Sequence, residues 1–399
     1  MRTDFDADFL TTPEGSRANE ILRSCVHCGF CNATCPTYQV TGDELDGPRG
    51  RIYLMRDLLQ SGDNEKRATQ HLDRCLTCRA CEVTCPSGVE YGELIEIARN
   101  QLGSERTGIV GLLRRLLAWM VPNVDVLRFM ARIGGLFSWL LPSRLSKLVP
   151  ASVGRPVSSS PGEQGQVLLL NGCAQQVSTP DTNVSVQQLL TRLGVGSVVL
   201  EDEGCCGSLD LHAGSEQTAK MRIKQNIDRI APHLDDVECV LSSASGCGLT
   251  MKEWGRVLAQ DEAYAEKAAA ISAKVRDVSE YLLERAAGFT PTKVEDIQRV
   301  AWHAPCTLQH GQKITGVVEP LLLAAGYELV EVHDAHLCCG SAGSYSALEP
   351  KLAGALEKRK LAALLANKPD VIATANVGCQ SHLNTNSSVP VVHWIELLK

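Results

Sequence analysis

Residues 25–36 read CVHCGFCNATCP, and residues 75–86 read CLTCRACEVTCP. Both strings place four cysteines in the spacing C-x2-C-x2-C-x3-C and follow the last cysteine with proline. Together they hold eight of the 17 cysteines in the 399-residue chain, and the other nine are spread over residues 173–379. The cysteines therefore divide the chain into an N-terminal region with two compact thiol motifs and a C-terminal region with a different pattern.

Each compact motif has the spacing by which bacterial ferredoxins bind [4Fe–4S] clusters. In such motifs three close cysteines hold three corners of one cluster, and the cysteine before the proline reaches across to the other cluster. Zinc ribbons arrange their thiols as two pairs instead, so the spacing favours iron–sulfur clusters over zinc. It predicts one cluster bound by Cys25, Cys28, Cys31 and Cys85, and a second bound by Cys75, Cys78, Cys81 and Cys35.

The C-terminal region contains an internal repeat. A shift of 132 or 133 residues superposes a single cysteine, a Cys-Cys-Gly string and a further single cysteine on a second copy. Self-similarity over such a distance indicates a duplicated domain. We expect each set of cysteines to converge on an additional metal centre, iron–sulfur or zinc, with buried structural thiols as the alternative. The two sets are Cys173, Cys205, Cys206 and Cys247, and Cys306, Cys338, Cys339 and Cys379.

Within each repeat, short apolar runs alternate with helical patterns, which indicates parallel α/β layers. The repeat cysteines fall at the carboxyl ends of the predicted strands, where open sheets bind ligands. The predicted fold class is α+β and multi-domain: an N-terminal helical dicluster ferredoxin-like domain, then two duplicated α/β cysteine-rich (CCG) domains. The predicted divisions are 1–105 for the dicluster domain, 106–149 for a basic amphipathic helical segment, 150–165 for a flexible linker, 166–290 for the first CCG domain and 291–399 for the second.

Composition excludes several classes of protein. Hydrophobic residues make up 44% of the chain and charged residues 21%, which are values of a folded globular protein rather than a disordered one. No uncharged apolar run approaches the roughly 20 residues of a spanning helix. The net charge of −7 argues against a nucleic-acid partner. Residues 1–24 lack an apolar signal core, so a cytoplasmic protein with reduced thiols is expected.

Three segments outside the cysteine motifs invite local predictions. Residues 106–155 carry eight Lys or Arg and one acidic residue, which suits a helix pair lying on an anionic membrane surface or packed against protein. Residues 43–51, DELDGPRGR, favour a solvated turn over a partner-docking loop. Ser87 and Glu90 have the S-x-x-E pattern of a capping box, which predicts a helix directly after Cys85.

Four histidines, His303, His310, His333 and His336, cluster in sequence around the second repeat. Histidine titrates near neutral pH, so a role in a quinone site or in proton transfer is one interpretation. The favoured interpretation for each is a loop histidine whose hydrogen bonds are satisfied. Cys239 has no counterpart in the second repeat and is expected in the core.

The connecting strings resemble one family in particular. ILRSCVHCGFCNATCPTYQ at residues 21–39, GDELDGPRGRIYL at 42–54 and HLDRCLTCRACEVTCPSGV at 71–89 are similar to the iron–sulfur subunits of bacterial glycolate oxidase. CTLQH at 306–310, HLCCGSAG at 336–343 and HWIELL at 393–398 agree. The repeats also resemble the CCG domain of heterodisulfide reductase-type proteins. That domain ends in C-x2-C, whereas Ala244 and Asn376 stand at the first of those positions in this chain.

The resemblance implies an electron-transfer subunit with no catalytic residue of its own. Flavin-containing partner subunits would oxidise glycolate to glyoxylate, and this chain would pass the electrons to a membrane quinone from the inner face of the cell membrane. The chain has no G-x-G-x-x-G string, so no flavin site is expected in it. Two alternatives remain: the same role in a lactate or anaerobic glycerol-3-phosphate dehydrogenase complex, and a heterodisulfide reductase-type thiol–disulfide enzyme.

Overall fold

The computed structural model describes residues 1–62, 65–103, 108–136, 157–285 and 291–398. Helices joined by short loops form the N-terminal region wherever it is described. They are α1 (Ala7–Leu10), α2 (Pro13–Ser24), α3 (Phe30–Ala33), α4 (Pro36–Thr41), α5 (Pro48–Ser61), α6 (Glu65–Asp73), α7 (Ala80–Thr84), α8 (Tyr91–Gln101), α9 (Gly108–Met120) and α10 (Val124–Leu136).

Local sequence explains where the longer of these helices begin. Thr12 caps α2 by accepting a hydrogen bond from the Gly15 amide at 3.0 Å, and Pro13 occupies the first helical position. Proline also begins α4 and α5, because the amide of the first helical residue has no acceptor within the helix and its loss costs nothing. Helices α2 and α5 both pack on α8, and the three bury Leu22, Met55 and Leu94 in a common core.

Two four-stranded parallel sheets form the C-terminal region. Their strand orders are β2-β1-β3-β4 and β6-β5-β7-β8, so each repeat builds the same topology. The strands are β1 (Gln166–Leu169), β2 (Gly196–Val198), β3 (Val240–Ser242), β4 (Val275–Asp277), β5 (Arg299–His303), β6 (Glu328–Leu329), β7 (Val371–Thr374) and β8 (Val391–His393).

Helices flank both sheets, as the alternation of patterns predicts. In the first repeat they are α11 (Gln175–Ser178), α12 (Pro180–Arg192), α13 (Ser208–Ala213), α14 (Glu216–Ile230), α15 (Ser245–Lys252), α16 (Trp254–Val257), α17 (Ala265–Lys274) and α18 (Val278–Glu284). In the second repeat they are α19 (Val318–Ala324), α20 (Tyr345–Leu348), α21 (Pro350–Leu365) and α22 (Val377–Asn384). The predicted α+β fold class is confirmed.

The two repeats share one hydrophobic core. Leu169 and Leu241 of the first sheet belong to the same buried cluster as Val300 and Ala373 of the second. The His393 ring also lies 2.9 Å from the Ser243 carbonyl, across the boundary between repeats. The two repeats are therefore packed against each other over apolar residues of their strands and helices, and this packing fixes the relation between the carboxyl-terminal edges of the two sheets. Cys239 lies in this shared core.

Local predictions fail at three places. The S-x-x-E string forms no capping box: Ser87 lies in a turn, and α8 begins only at Tyr91, with Glu90 as its N-cap residue and no side-chain cap. The strands β4 and β8, which complete the sheets, are not among the predicted strands, and each leads directly into a helical turn. Residues 157–165 are not a free linker, since Ser160 pairs with Ser197 beside β2. Residues 150–156 lie outside the described residues.

Helices α9 and α10 form a hairpin with two different faces. On the inner face, Arg114 pairs with Asp73 at 2.7 Å, and Arg128 donates to the Gln176 side chain at 2.6 Å. The outer face exposes large apolar side chains, namely Leu112, Leu116, Trp119, Phe129 and Met130. Part of the predicted basic surface is thus turned toward protein. Within the described ranges, we find no helix that is long and apolar enough to cross a membrane.

Candidate metal centres

The two compact cysteine motifs fold into matching loops. His27 and Thr77, each just before the second cysteine of its motif, adopt left-handed backbone with φ of 55° and 53°. Gly29 and Arg79, each just after that cysteine, are left-handed as well, with φ of 83° and 59°. Such backbone costs a non-glycine residue about 1–3 kcal/mol, and it persists where surrounding structure holds it. Both loops therefore coil the same way around their thiols.

These loops bring the cysteines together in two adjoining cavities. The last cysteine of each string lies with the first three of the other string, which is the crossed arrangement that the spacing predicts. One cavity is lined by Cys25, Cys28, Cys31 and Cys85, and the other by Cys35, Cys75, Cys78 and Cys81. Cys81 also touches the first cavity, so the two four-thiol sites are neighbours.

Hydrogen-bond donors point at the sulfur atoms of both sites. The Val89 amide lies 3.5 Å from Cys85 Sγ, and the Thr77 amide lies 3.4 Å from Cys75 Sγ. The Tyr91 hydroxyl donates to the same Cys75 sulfur at 3.7 Å. Donors of this kind stabilise thiolate charge and tune the reduction potential of a bound cluster. The donor set and its surroundings therefore fit iron–sulfur clusters.

A buried arginine lies beside the second four-thiol site. Arg51 is 1% exposed, and its Nη1 lies 3.9 Å from Cys35 Sγ. Burial alone would lower the pKa of Arg51, but the Cys75 and Cys35 thiols and the Asp46 carboxylate raise it above its ordinary value. A guanidinium is buried at low cost only opposite negative charge, so this position suits a site that holds thiolates.

Residues 43–51 are not a solvated turn. Asp46 is completely buried, and its carboxylate lies 2.8 Å from His71 Nδ1 and 3.1 Å from Arg74 Nη1. Pro48, from the same segment, lines both four-thiol cavities. The segment therefore forms a wall of the thiol sites, and the prediction of a solvated turn is wrong because charged residues at these positions are neutralised internally.

The repeat cysteines converge as well. In the first repeat the Cys205 sulfur accepts hydrogen bonds from the thiols of Cys173 and Cys206, which lowers the pKa of Cys205 well below its ordinary value. In the second repeat Cys306 Sγ and Cys338 Sγ lie 3.9 Å apart. All the predicted repeat cysteines line a single cavity of about 320 Å³, namely Cys173, Cys205, Cys206, Cys247, Cys306, Cys338, Cys339 and Cys379.

This cavity could not be predicted from either repeat alone. It forms because the shared core sets the carboxyl-terminal edges of the two sheets against each other. Leu117 of α9 and Val121, just beyond the end of α9, form part of its wall. Ala244 and Asn376, which stand in place of the missing cysteines, also line it. The Asn376 side chain is engaged, because its Oδ1 accepts from the Gly378 amide at 2.8 Å.

The second four-thiol site adjoins the second repeat. Cys78 packs in one cluster with Cys306 and Cys338, and Leu76 of its loop lies in the same cluster. Burial, followed by the nearby Cys306 thiol, raises the pKa of Cys78 well above its ordinary value. The first four-thiol site, the second site and the shared cavity therefore follow one another in space.

Ion pairs join the helical region to the first repeat. The Arg79 guanidinium binds the Glu253 carboxylate across the boundary, with Nη2 to Oε2 at 2.9 Å. Arg256 lies 2.9 Å from Glu96 of α8 in return. These partly buried pairs fix the orientation of the ferredoxin-like loops relative to the repeats.

The four histidines have different surroundings. His333 and His336 are exposed loop residues, as favoured. His310 is instead buried in a short π-helix, Thr307–Gly311, although its hydrogen bond is satisfied because its Nε2 lies 2.8 Å from the His336 carbonyl. His303 differs: it is 1% exposed, and neither ring nitrogen has a hydrogen-bond partner among the described residues. Burial, together with the charge of Lys360, lowers the pKa of His303 well below its ordinary value, so the ring is neutral.

Lys360 is a second buried cation that sequence patterns did not single out. Its ammonium donates to the carbonyls of Asp334 and Ala335 at 3.1 and 2.8 Å. Burial lowers the pKa of Lys360, and the thiols of Cys339 and Cys338 oppose that effect. It lies within α21 and is one of five Lys or Arg residues in the segment 350–368, which carries no motif, so only the fold reveals its position beside the thiols.

Comparisons with known proteins agree with this architecture. A 4Fe-4S dicluster domain family matches residues 21–89, and a family described as a cysteine-rich domain matches residues 167–252 and 300–384. These matches confirm the prediction of iron–sulfur clusters. A solved structure, a hypothetical protein from Helicobacter pylori, shares the fold with a TM-score of 0.56 at 9% identity, over 97% of this chain and 72% of that one.

Two curated relatives match the chain over nearly its whole length. The glycolate oxidase iron–sulfur subunit of Escherichia coli is 41% identical over 100% of this chain and 98% of its own length. A probable glycolate oxidase iron–sulfur subunit of Bacillus subtilis is 31% identical over 94% and 93%. Lactate utilization protein A of Bacillus licheniformis is 23% identical and matches 58% of this chain and 98% of its own. The two glycolate oxidase relatives therefore match nearly the whole chain, whereas the lactate utilization relative matches part of it.

Proposed function

The chain belongs to the family of glycolate oxidase iron–sulfur subunits, and from this premise we propose that it is the electron-transfer subunit of a flavin-dependent glycolate oxidase. The complex oxidises glycolate to glyoxylate, and this chain delivers the electrons to a membrane quinone. The observation that carries the proposal is the row of thiol sites, from the first four-thiol cavity through the second to the shared cavity of the repeats.

The proposed ligands follow the grouping of the cysteines. Cys25, Cys28, Cys31 and Cys85 hold one [4Fe–4S] cluster, and Cys35, Cys75, Cys78 and Cys81 hold the other. The repeat cysteines hold further metal, iron–sulfur or zinc. When bound, an iron–sulfur cluster exchanges one electron at a time, which suits a chain between a two-electron flavin and a second acceptor.

Residues of this chain would prepare the sites for negative charge. Arg51 supplies a fixed positive charge beside Cys35. The amides of Val89 and Thr77 donate to cysteine sulfurs, and apolar neighbours exclude water from the second site. The positive charge and the amide donors favour the more negative, reduced state of a cluster, whereas the exclusion of water disfavours it, so together they set its potential.

We propose that the flavin-containing subunits dock beside the first four-thiol site. Val26, Phe30 and Val83 are all more than half exposed, although they are apolar. Phe30 and Val83 lie on α3 and α7, which pack together, and Val26 lines the first cavity. An exposed apolar patch of this kind is typical of a protein interface. Docking there would bring the flavin close to the first site.

At the other end of the row, we propose that the α9–α10 hairpin attaches the complex to the inner face of the membrane. The outer face carries Trp119 and Phe129, and the inner face contributes Leu117 to the shared cavity. An amphipathic helix with an exposed aromatic and aliphatic face binds the boundary between headgroups and acyl chains. The quinone acceptor would therefore lie on the side of the repeats.

The same electron-transfer role in a lactate or glycerol-3-phosphate dehydrogenase is the second candidate. Substrate is chosen by the partner subunits, so the thiol sites do not distinguish these enzymes. Identity over the whole chain favours glycolate, because the lactate utilization relative matches only 58% of this chain. The third candidate, a thiol–disulfide enzyme, is supported by the thiols of the shared cavity.

Reconstitution tests the proposal. The purified chain alone should leave glycolate unchanged, and adding the flavin-containing subunits should produce glycolate-dependent reduction of an artificial dye. Lactate and glycerol 3-phosphate are run as competing substrates, and a small disulfide is offered to the isolated chain. Glycolate turnover by the flavin-free chain would overturn the electron-transfer role, and turnover of the disulfide would favour the third candidate.

A further inference from the structure

His303 lies where a ligand of a metal would lie. It is the last residue of β5, at the carboxyl-terminal edge of the second sheet, and three residues before Cys306. One ring nitrogen of His303 and the sulfurs of Cys339 and Cys379 all lie within 4.8 Å of one another. Three ligand atoms at such separations can bind one metal centre after small side-chain movements.

The imidazole has no other use in the described structure. Both ring nitrogens of His303 lack a hydrogen-bond partner there, although the side chain is buried. Leaving a buried polar group unpaired costs about 1–3 kcal/mol, so native proteins rarely tolerate it. His393, equally buried, illustrates the usual solution, since its Nε2 lies 2.9 Å from the Ser243 carbonyl. The unpaired ring of His303 therefore points to a partner other than protein.

The first repeat has no such group. The residue three positions before Cys173 is Leu170, which is buried and packs in an apolar cluster with Cys173 and Cys206. The two repeats otherwise place their cysteines at equivalent positions. A histidine on one side and a leucine on the other make the two thiol sets chemically different. Leu170 of the first repeat is therefore the natural comparison for His303 of the second.

We propose that His303 is a protein ligand of a metal centre in the second repeat, which would bind iron or zinc through mixed imidazole and thiolate ligands. The thiolate partners are Cys339 and Cys379, with Cys306 and Cys338 adjacent. The first repeat then offers thiolates alone. This inference rests on the proposal that the repeats hold metal, and it names the group that distinguishes one repeat from the other.

Spectroscopy of the intact chain tests the ligand directly. The full chain is produced with ¹⁵N-histidine, and its iron and zinc are quantified. If the centre contains iron, pulsed electron paramagnetic resonance of a paramagnetic state should detect a coupled histidine nitrogen. If it contains zinc, X-ray absorption should require a nitrogen ligand beside sulfur. Metal limited to about eight irons per chain, the content of two [4Fe–4S] clusters, would overturn the proposal.

Two substitutions at His303 separate ligation from folding. His303→Leu, which copies the first repeat, should lower metal content by one centre and remove the nitrogen coupling. His303→Cys should keep the metal and lose the coupling, and if the centre contains iron its midpoint potential should fall, because imidazole ligation raises the potential relative to thiolate. His310→Gln is the matched control, since His310 bonds only a carbonyl in the described structure and should leave all three measurements unchanged.

Unchanged metal content and an unchanged spectrum in His303→Leu would overturn the proposal. If His303→Leu fails to fold, the proposal is tested by the nitrogen coupling of the labelled wild-type chain and by its loss in His303→Cys. The outcome is separable from the enzyme's function, because no measurement here requires glycolate or a partner subunit. Failure of the reconstitution experiment would therefore leave this assignment standing.

Discussion

Arg51 carries a positive charge into the interior of the helical region, where the Cys35 and Cys75 thiols lie beside it. With the thiols as thiolates around a cluster, this charge is compensated at short range. With the thiols protonated, Asp46, 3.7 Å from Arg51 Nη2 and shared with His71 and Arg74, is its chief partner. The buried Arg51 guanidinium therefore favours the metal-bound state, in which thiolates pair with its charge, because an incompletely paired buried charge destabilises a fold.

At the same scale, the crossed arrangement of cysteines makes a specific prediction. Cys85→Ser should damage the cluster at Cys25, Cys28 and Cys31, although Cys85 belongs to the other string. The matched variant Cys35→Ser should damage the opposite cluster. Electron paramagnetic resonance of each reduced variant measures which signal is lost. Loss of the Cys75–Cys81 signal in Cys85→Ser would show that each string binds its own cluster.

At the scale of elements, helix starts and loops position the thiols. The helix α18, beside β4, begins with a capping box in which the buried Asp277 carboxylate accepts from the Ser279 amide at 2.9 Å. The other oxygen of Asp277 has no partner among the described residues. The Asp277 carboxylate therefore stabilises α18 through one oxygen, while its buried negative charge is left partly unpaired at the other.

Asp277 predicts a pH-dependent stability. Burial raises its pKa to about 6, from an ordinary value of 3.8, and hydrogen bonds from Ser279 only partly oppose this. The folded state therefore binds the proton more tightly, and folding stability falls as pH rises from about 4 to about 6. Asp277→Asn keeps the cap and removes the charge, so it should add up to about 3 kcal/mol at pH 8 and little at pH 4.

Thermal unfolding of the metal-loaded chain measures this effect. The gain in melting temperature of Asp277→Asn over wild type should be large at pH 8 and shrink at pH 5. Asp370→Asn is the control, because hydrogen bonds from the amides of Arg299 and Gln298 lower the pKa of that exposed carboxylate. An equal gain of Asp277→Asn at both pH values would contradict the assigned cause.

The α9–α10 hairpin predicts membrane attachment through its outer face. Trp119→Ser combined with Phe129→Ser should release the assembled complex from anionic liposomes, because both side chains are more than half exposed. Met221→Ser, an equally exposed apolar residue on α14, is the matched control. Co-sedimentation with vesicles is the measurement, and dye-linked turnover should stay unchanged. Continued sedimentation of the double variant would leave the hairpin as a protein-packing element.

At the scale of the whole molecule, ion pairs and shared cores hold three thiol sites in one row. Arg79 and Arg256 connect the helical region to the first repeat, while Cys78 packs on the second repeat. Both repeats therefore contact the ferredoxin-like region, and Arg359 of α21 adds a hydrogen bond from the second repeat to the Gln39 side chain. Electron transfer along these sites needs an electron donor at the first four-thiol site and an acceptor beside the shared cavity. Exposed apolar side chains lie near both places, on α3 and α7 at the first site and on the α9–α10 hairpin beside the cavity.

The exposed apolar patch beside the first four-thiol site predicts where the flavin-containing subunits bind. Phe30→Glu should weaken binding of the flavin-containing subunits at least about tenfold, because a charge replaces an exposed side chain at the centre of an apolar contact. Cluster signals should remain, since Phe30 does not line either cavity. Leu323→Glu, on α19 far along the chain, is the control for a new surface charge. Undiminished assembly of Phe30→Glu would place the partner on another face.

The sequence by itself determined the ligand pattern of the N-terminal region and the duplication of the C-terminal one. Cysteines a few residues apart, such as Cys25 and Cys28, are held together by the chain itself, so their spacing already limits the metal site. Alternating strand and helix patterns likewise predicted parallel sheets, because hydrophobic periodicity is a local property.

Only the tertiary structure decided how distant segments meet. The joining of Cys173 and Cys306 in one cavity depends on the core that the two sheets share, and the burial of Lys360 depends on which face of α21 meets the thiols. His303 looks like any strand-end histidine in the sequence, and its isolation follows from packing on all sides. Such contacts between residues far apart in the chain leave no local pattern, because side chains from separate elements create them.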